Sequence, residues 1–149
     1  MATNPATAST VCVLGFDVGA RRIGVAVGNT LSQTARALTV IEVGQAGPDW
    51  ARVEAMAREW RPDRLLVGEP LTLEGEAQPA TRFARRFAHD LRQRLALPVD
   101  LVDERYSSKE ADQRFAERRQ QGAARRRDAA ILDAVAAQII VERWLQRLA

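Results

Sequence analysis

The chain has 149 residues, 46% of them hydrophobic, and a formal net charge of +3. That length fits one domain with a sizeable core, and no apolar run reaches the ~18 residues of a membrane-spanning helix, so neither a helical membrane protein nor a multidomain assembly is expected. One cysteine, Cys12, and one histidine, His89, exclude an internal disulfide framework and a zinc site of Cys and His ligands, which points to the cytoplasm.

The opening MATNPATAST has neither the basic start nor the apolar stretch of a secretory signal, and reads as a frayed tail over residues 1–10 ahead of a single domain over 11–149. VCVLGFDV (11–18) is a short apolar run rich in β-branched residues and reads as a central strand. After a turn at GAR, RIGVAVGN (22–29) and RALTVIEV (36–43) read as two more strands, and the short connections suggest an antiparallel meander. The period then changes. Trp50, Val53, Ala57 and Trp60 mark an amphipathic helix, with Pro48 suited to its first turn and Pro62 ending it. RLLVG (64–68) is a buried strand. Phe83, Phe87, Leu91 and Leu95 mark a second helix stopped by Pro98, and Trp50, Trp60 and Phe83 are expected in the core. VDLVDE (99–104) is the fifth strand. Ser107 and Glu110 form a capping box opening a third helix, Gly122 interrupts it, and a last helix runs from about Arg127 to Leu148. The order β-β-β-α-β-α-β-α-α predicts an α/β fold: a mixed five-stranded sheet, three antiparallel strands followed by parallel ones, with helices on both faces.

Acids fall where such a sheet binds ligands. Alternation puts Val11, Val13, Gly15 and Asp17 on one face, so Gly15 leaves room beside a carboxylate at the carboxyl end of a central strand. A turn cap at Gly19 is the plainer role for Asp17. Asp103 and Glu104 end the fifth strand on opposite faces, so only one of them can share a site with Asp17. AAILDAVAAQIIV (129–141) is apolar nearly all round except for Asp133 and Gln138, and Ala129, Ala130, Ala136 and Ala137 let the helix approach the sheet closely. A carboxylate there needs a partner: a nearby arginine, or a cation shared with other acids. Three converging acids make a hard oxygen site for Mg²⁺ or Mn²⁺, and two such ions ~4 Å apart clamp an in-line phosphodiester displacement.

All but one of the 22 basic residues are arginine, which suits bidentate phosphate contacts. Arg114, Arg118, Arg119, Arg125, Arg126 and Arg127 cluster around Gly122, and Arg21 and Arg22 follow Asp17; both groups are candidates for nucleic-acid contact, against the plainer reading of a solvated face. GEPLTLEGE lacks the Lys and Ser/Thr of a phosphate-binding P-loop, Glu69 is expected as a loop residue, and His89 as a surface residue.

The stretches GFDVGARRIGVAVGN, VGEPLTLEGE, VDERYSS and LDAVAAQIIVERWL, in this order, resemble the YqgF/RuvX family from about residue 11 to the end. That family is similar to the RNase H and Holliday-junction-resolvase superfamily. The resemblance implies an RNase H-like fold and phosphodiester hydrolysis at a metal site made by Asp17, by Glu104 as the glutamate of the DER motif, and by Asp133 on the last helix. It also implies a substrate. Members are assigned to 5′-end processing of pre-16S rRNA, and some to Holliday junction resolution, so the expected partner is structured RNA, with the ribosome, or else branched DNA. A resolvase cuts two strands symmetrically and should be a two-fold dimer; a monomer or weak homodimer, with no membrane partner, is expected here. Two further readings are an ATP-binding domain, whose D-x-G loop needs a second domain that 149 residues cannot supply, and a nucleic-acid-binding module without catalysis. The family often has an apolar residue where Glu69 stands, and many relatives carry a lysine closer to the last acid than Arg125, Arg126 and Arg127 stand to Asp133.

Overall fold

The computed structural model of the protein describes residues 10–104 and 128–148. The tail up to residue 9, the capping box at Ser107 and Glu110, and the arginines from Arg114 to Arg127 lie outside the described residues.

Strands β1 (Cys12–Val18), β2 (Arg22–Asn29) and β3 (Thr34–Gly44) form the antiparallel meander, and β4 (Gly47–Pro48) folds back on the end of β3. Helix α1 (Trp50–Trp60), β5 (Arg64–Glu69), helix α2 (Pro79–Leu95), β6 (Val99–Asp103) and helix α3 (Asp128–Leu148) complete the chain order. The sheet runs β4-β3-β2-β1-β5-β6, with β5 parallel to both β1 and β6. The mixed antiparallel-then-parallel sheet is therefore as the sequence predicts, but it has six strands, not five. The extra strand is two residues long and pairs only with Val43 and Gly44, too short to leave a periodic signal. It also takes Pro48 out of α1, whose cap is Asp49; the Asp49 side chain accepts a hydrogen bond from the Arg52 amide.

The pleat sorts the side chains into two layers. Leu14, Phe16, Val25, Leu65 and Val67 pack under α1 and α2 with Val53, Met56, Phe87 and Leu91. Val13, Ala26, Leu66 and Val102 pack on the opposite face with Ala137, Ile140, Val141 and Trp144 of α3. Trp50 and Trp60 lie against the first cluster as expected. Phe83 does not: it is 53% exposed. The buried stripe of α2 starts instead at Thr81 and Ala84, because the Thr81 hydroxyl bonds the Pro70 carbonyl and the Gln78 amide, and this fixes which side of the first turn faces inward.

Helix α3 comes unusually near the sheet, and glycines in the strands make this possible. A Cβ at Gly24 would lie 1.9 Å from the Asp133 carbonyl oxygen, and one at Gly15 or Gly28 would lie 2.4 or 2.3 Å from a methyl of Val141. The alanines of α3 supply only one side of that approach.

Candidate active site

Three parallel strand ends and one helix build the site. β1, β5 and β6 all finish at one edge of the sheet, with β1 central. Asp17 is the second-last residue of β1 and, by alternation from Val13 and Gly15, faces α3. Register settles the choice between the two acids at the end of β6, Asp103 in the strand and Glu104 just after it. Glu69 pairs with Asp103 and Gly68 with Val102, and Val102 packs on the α3 side, so Glu104 shares that face while Asp103 points the other way. Glu104 is buried, at 6% exposure.

Glu104 and Asp17 belong to strands separated by β5, yet their carboxyl groups hydrogen-bond. Gly68 explains how. A Cβ there would stand 2.7 Å from both Cδ and Oε2 of Glu104, so the Glu104 carboxyl crosses β5 through the space that Gly68 leaves. Nothing in the sequence neighbourhood of Gly68 signals this; only the register of β5 against β6 does.

Asp133 comes from above, on α3, at the point where Gly24 lets the helix backbone touch the sheet. Its charge acts on Asp17. Its Oδ2 accepts a hydrogen bond from Arg22 Nε at 2.7 Å, so the arginine partner weighed from sequence is present. The electrostatics follow. Burial pushes the Asp17 carboxyl up to about 6, the hydrogen bond with Glu104 pulls it down, and the Asp133 charge pushes it up again. A hydrogen bond between two carboxyl groups requires a proton on one of them, so this pair carries an electrostatic cost that a positive charge would relieve.

The structure thus brings Asp17, Glu104 and Asp133 to one place. Among the described residues no group of three His, Cys, Asp or Glu side chains is already set to hold a metal ion. Asp133 is turned to Arg22, while Asp17 and Glu104 are turned to each other. The donor chemistry nevertheless fits a hard divalent cation: only carboxylates, one of them disfavoured in its charged form by burial. Glu69 stays out of the site and pairs with Arg85 of α2 at 2.7 Å. Arg21 is exposed in the β1–β2 turn, Arg22 is engaged with Asp133, and Arg118, Arg119, Arg125, Arg126 and Arg127 lie outside the described residues. Sequence reasoning missed a second basic surface. Arg82, Arg85, Arg86, Arg92 and Arg94 of α2 are all exposed, and their spacing in PATRFARRFAHDLRQRL carries the signal.

A family model described as "RuvX: Holliday junction resolvase" matches residues 11–147. The chain belongs to this RuvX family. Among its relatives, a protein of Xanthomonas oryzae pv. oryzae (strain PXO99A) named "Putative pre-16S rRNA nuclease" is 61% identical over 133 residues, covering 89% of this chain and 86% of that one. A protein of the same name from Xanthomonas axonopodis pv. citri (strain 306) is 60% identical over the same length. Among solved structures, Thermus thermophilus RuvC in complex with a Holliday junction substrate superposes with a TM-score of 0.55 at 20% identity, over 93% of this chain and 96% of that one. Fowlpox virus resolvase with its junction DNA superposes with a TM-score of 0.56 at 12% identity, over 93% and 99%. The fold of this RuvX-family chain is thus the resolvase-like, RNase H-like one, and its class of chemistry is that of a nuclease, the hydrolysis of phosphodiester bonds.

Proposed function

We propose that this protein is a metal-dependent endonuclease that processes structured RNA at the 5′ end of pre-16S rRNA, with Asp17, Glu104 and Asp133 as its metal-holding and catalytic acids. The observation that carries the reading is the convergence of those three carboxylates, one of them through the Gly68 gap, at the carboxyl ends of parallel strands. The names of the Xanthomonas relatives given above support RNA as the substrate. Mg²⁺ or Mn²⁺ bound by these acids would polarise the scissile phosphate and activate the attacking water. The chain's own residues do the rest. Asp17 and Glu104 give up the proton they share, Asp133 turns from Arg22, and the freed Arg22 guanidinium, beside exposed Arg21, becomes a phosphate contact. Arg118, Arg119, Arg125, Arg126 and Arg127 are assigned to further contacts with the RNA backbone on their charge alone. Among the described residues no helix is long and apolar enough to cross a membrane. The proposal places the protein in the cytoplasm, acting on the ribosome precursor as a monomer or weak homodimer.

The family model's own description favours a second reading, resolution of Holliday junctions in branched DNA. One assay separates the two: a labelled pre-16S 5′-leader fragment and a four-way DNA junction, each incubated with Mg²⁺, Mn²⁺ or EDTA, with the wild type beside Asp133→Asn. Metal-dependent cutting of the RNA, lost in the variant, is the expected result. Symmetric nicking of the junction with intact RNA would replace it by the resolvase reading. Salt-sensitive binding of both substrates with cleavage of neither would overturn the catalytic reading.

A further inference from the structure

On the face of the sheet opposite α3, a pocket of about 430 Å³ opens between the β1–β2 turn, the β3–β4 hairpin and the first half of α2. That volume lies within the ~300–1,000 Å³ of small-molecule sites. Its apolar wall is Val18, Ile23, Val43 and Phe87. Phe87 is rigidly held, stacked on Trp50 with ring centroids 5.2 Å apart and edge-on to Phe16 at 5.3 Å. One helical turn earlier stands Phe83, also lining the pocket, with 53% of its surface in solvent. Arg86 and Asp90 supply the charged groups, and Arg82 is exposed one turn before Arg86.

Phe83 is exposed although Phe87, one turn later on the same helix, is buried against Phe16 and Trp50. A flat ring can stack on Phe83, an apolar wall accepts its edge, the Asp90 carboxylate can accept hydrogen bonds from ring or amino N–H groups, and Arg86 can bind an attached phosphate. Those features together describe a nucleotide. Location agrees: Val18 of the pocket directly follows Asp17 in β1, so pocket and acids lie on opposite faces at the end of one strand. A substrate strand passing over that end reaches both.

We infer that this pocket binds one unpaired nucleotide of the substrate strand, its base stacked on Phe83 and its phosphate held by Arg86, next to the phosphate presented to Asp17, Glu104 and Asp133. The inference rests on the nuclease reading above and adds a requirement for single-stranded character beside the cut. Base–aromatic stacking tolerates any sequence, so the pocket selects an unpaired nucleotide rather than a particular base.

The test is fluorescence titration of the full chain in EDTA, which prevents cleavage, with a short single-stranded RNA carrying a fluorescent adenine analogue and with a blunt RNA duplex of the same sequence. The wild type should bind the single strand and quench the analogue. Phe83→Ala should weaken that binding about tenfold and abolish the quenching without altering the salt dependence, and Phe83→Trp should restore both. Arg86→Gln should instead lower the slope of log affinity against log salt by about 0.7, one phosphate contact on a single strand. Because Phe83 is exposed, its alanine variant should melt like the wild type. Binding and quenching by Phe83→Ala equal to the wild type would overturn the pocket while leaving the nuclease reading intact. Equal affinity for the blunt duplex would do the same. Failure of the wild type to bind either RNA would overturn the pocket and the RNA reading together, and the cleavage assay above would report that second failure independently.

Discussion

The two faces of the sheet are made by the same strands and are used in opposite ways. Under α1 and α2 the inward positions are filled by Leu14, Phe16, Leu65, Val67, Phe87 and Leu91, a close-packed core without charge. Under α3 the strands are hollowed at Gly15, Gly24, Gly28 and Gly68, and the space admits helix backbone, small side chains and three carboxyl groups. Burial of apolar area stabilises the first face. The second gives up side-chain volume so that groups which repel one another can be held together. Both faces bury an apolar cluster, but the three acids gather on the α3 face alone.

Substitutions on the two faces should divide accordingly. The largest effect is on the acids: Asp17→Asn, Glu104→Gln and Asp133→Asn should each lower cleavage by more than about a hundredfold, since even the groups that orient metal ligands are worth 10–100-fold. Circular dichroism should show all three folded. On the other face the balance reverses. Leu91→Ala should cost about 2–5 kcal/mol in urea denaturation and leave cleavage per folded molecule unchanged. A loss of activity from Leu91→Ala in excess of its unfolded fraction would show that the two faces are not separate.

The acid face should also carry a stability penalty that depends on pH. Asp17 titrates near 6 in the folded chain against 3.8 as a free side chain, so the folded state holds a proton that the unfolded state has released. Metal-free stability should therefore be full below about 4 and fall by roughly 2–3 kcal/mol as pH rises to about 6. Asp17→Asn should remove the decline and be more stable than the wild type at neutral pH, as measured by denaturation across that range. Gly68→Ala tests the gap itself. Its Cβ meets Glu104 Oε2 at 2.7 Å and Ile140 Cδ1 at 2.4 Å, so it should cost about 1–3 kcal/mol and displace the Glu104 carboxyl, with cleavage falling far more than stability. The smallest effect belongs to Arg22→Gln. Its ion pair with Asp133 is over a third exposed on the arginine side, so the loss of stability should stay under about 1 kcal/mol. The same substitution frees Asp133 and should tighten Mn²⁺ binding by up to about fivefold.

Local rules were enough for the three helices and five of the six strands among the described residues, and for the face of Asp17, because alternation along a strand and periodicity along a helix are properties of neighbouring residues. The same rules named Asp133 as a carboxylate needing a partner and left cation and arginine open; the structure pairs it with Arg22 beside Asp17. They could not choose between Asp103 and Glu104, since the choice depends on the register of β6 against β5. Nor could they show that Gly68 and Gly24 are spaces for side chains and backbone distant in sequence. Phe83 was misplaced because a stripe of aromatics at helical spacing carries no mark of where the helix leaves the sheet; the Thr81 contact with Pro70 decides that. β4 escaped because two residues have no period.

Catalysis as proposed requires that Asp17, Glu104 and Asp133 surround one cation site. Calorimetric titration of Mn²⁺ into the wild type, Asp17→Asn, Glu104→Gln and Asp133→Asn at neutral pH tests it without reference to any substrate. Saturable binding to the wild type, weakened in each of the three variants, is the predicted result. Binding of equal strength in all four proteins, or none to the wild type, would contradict it.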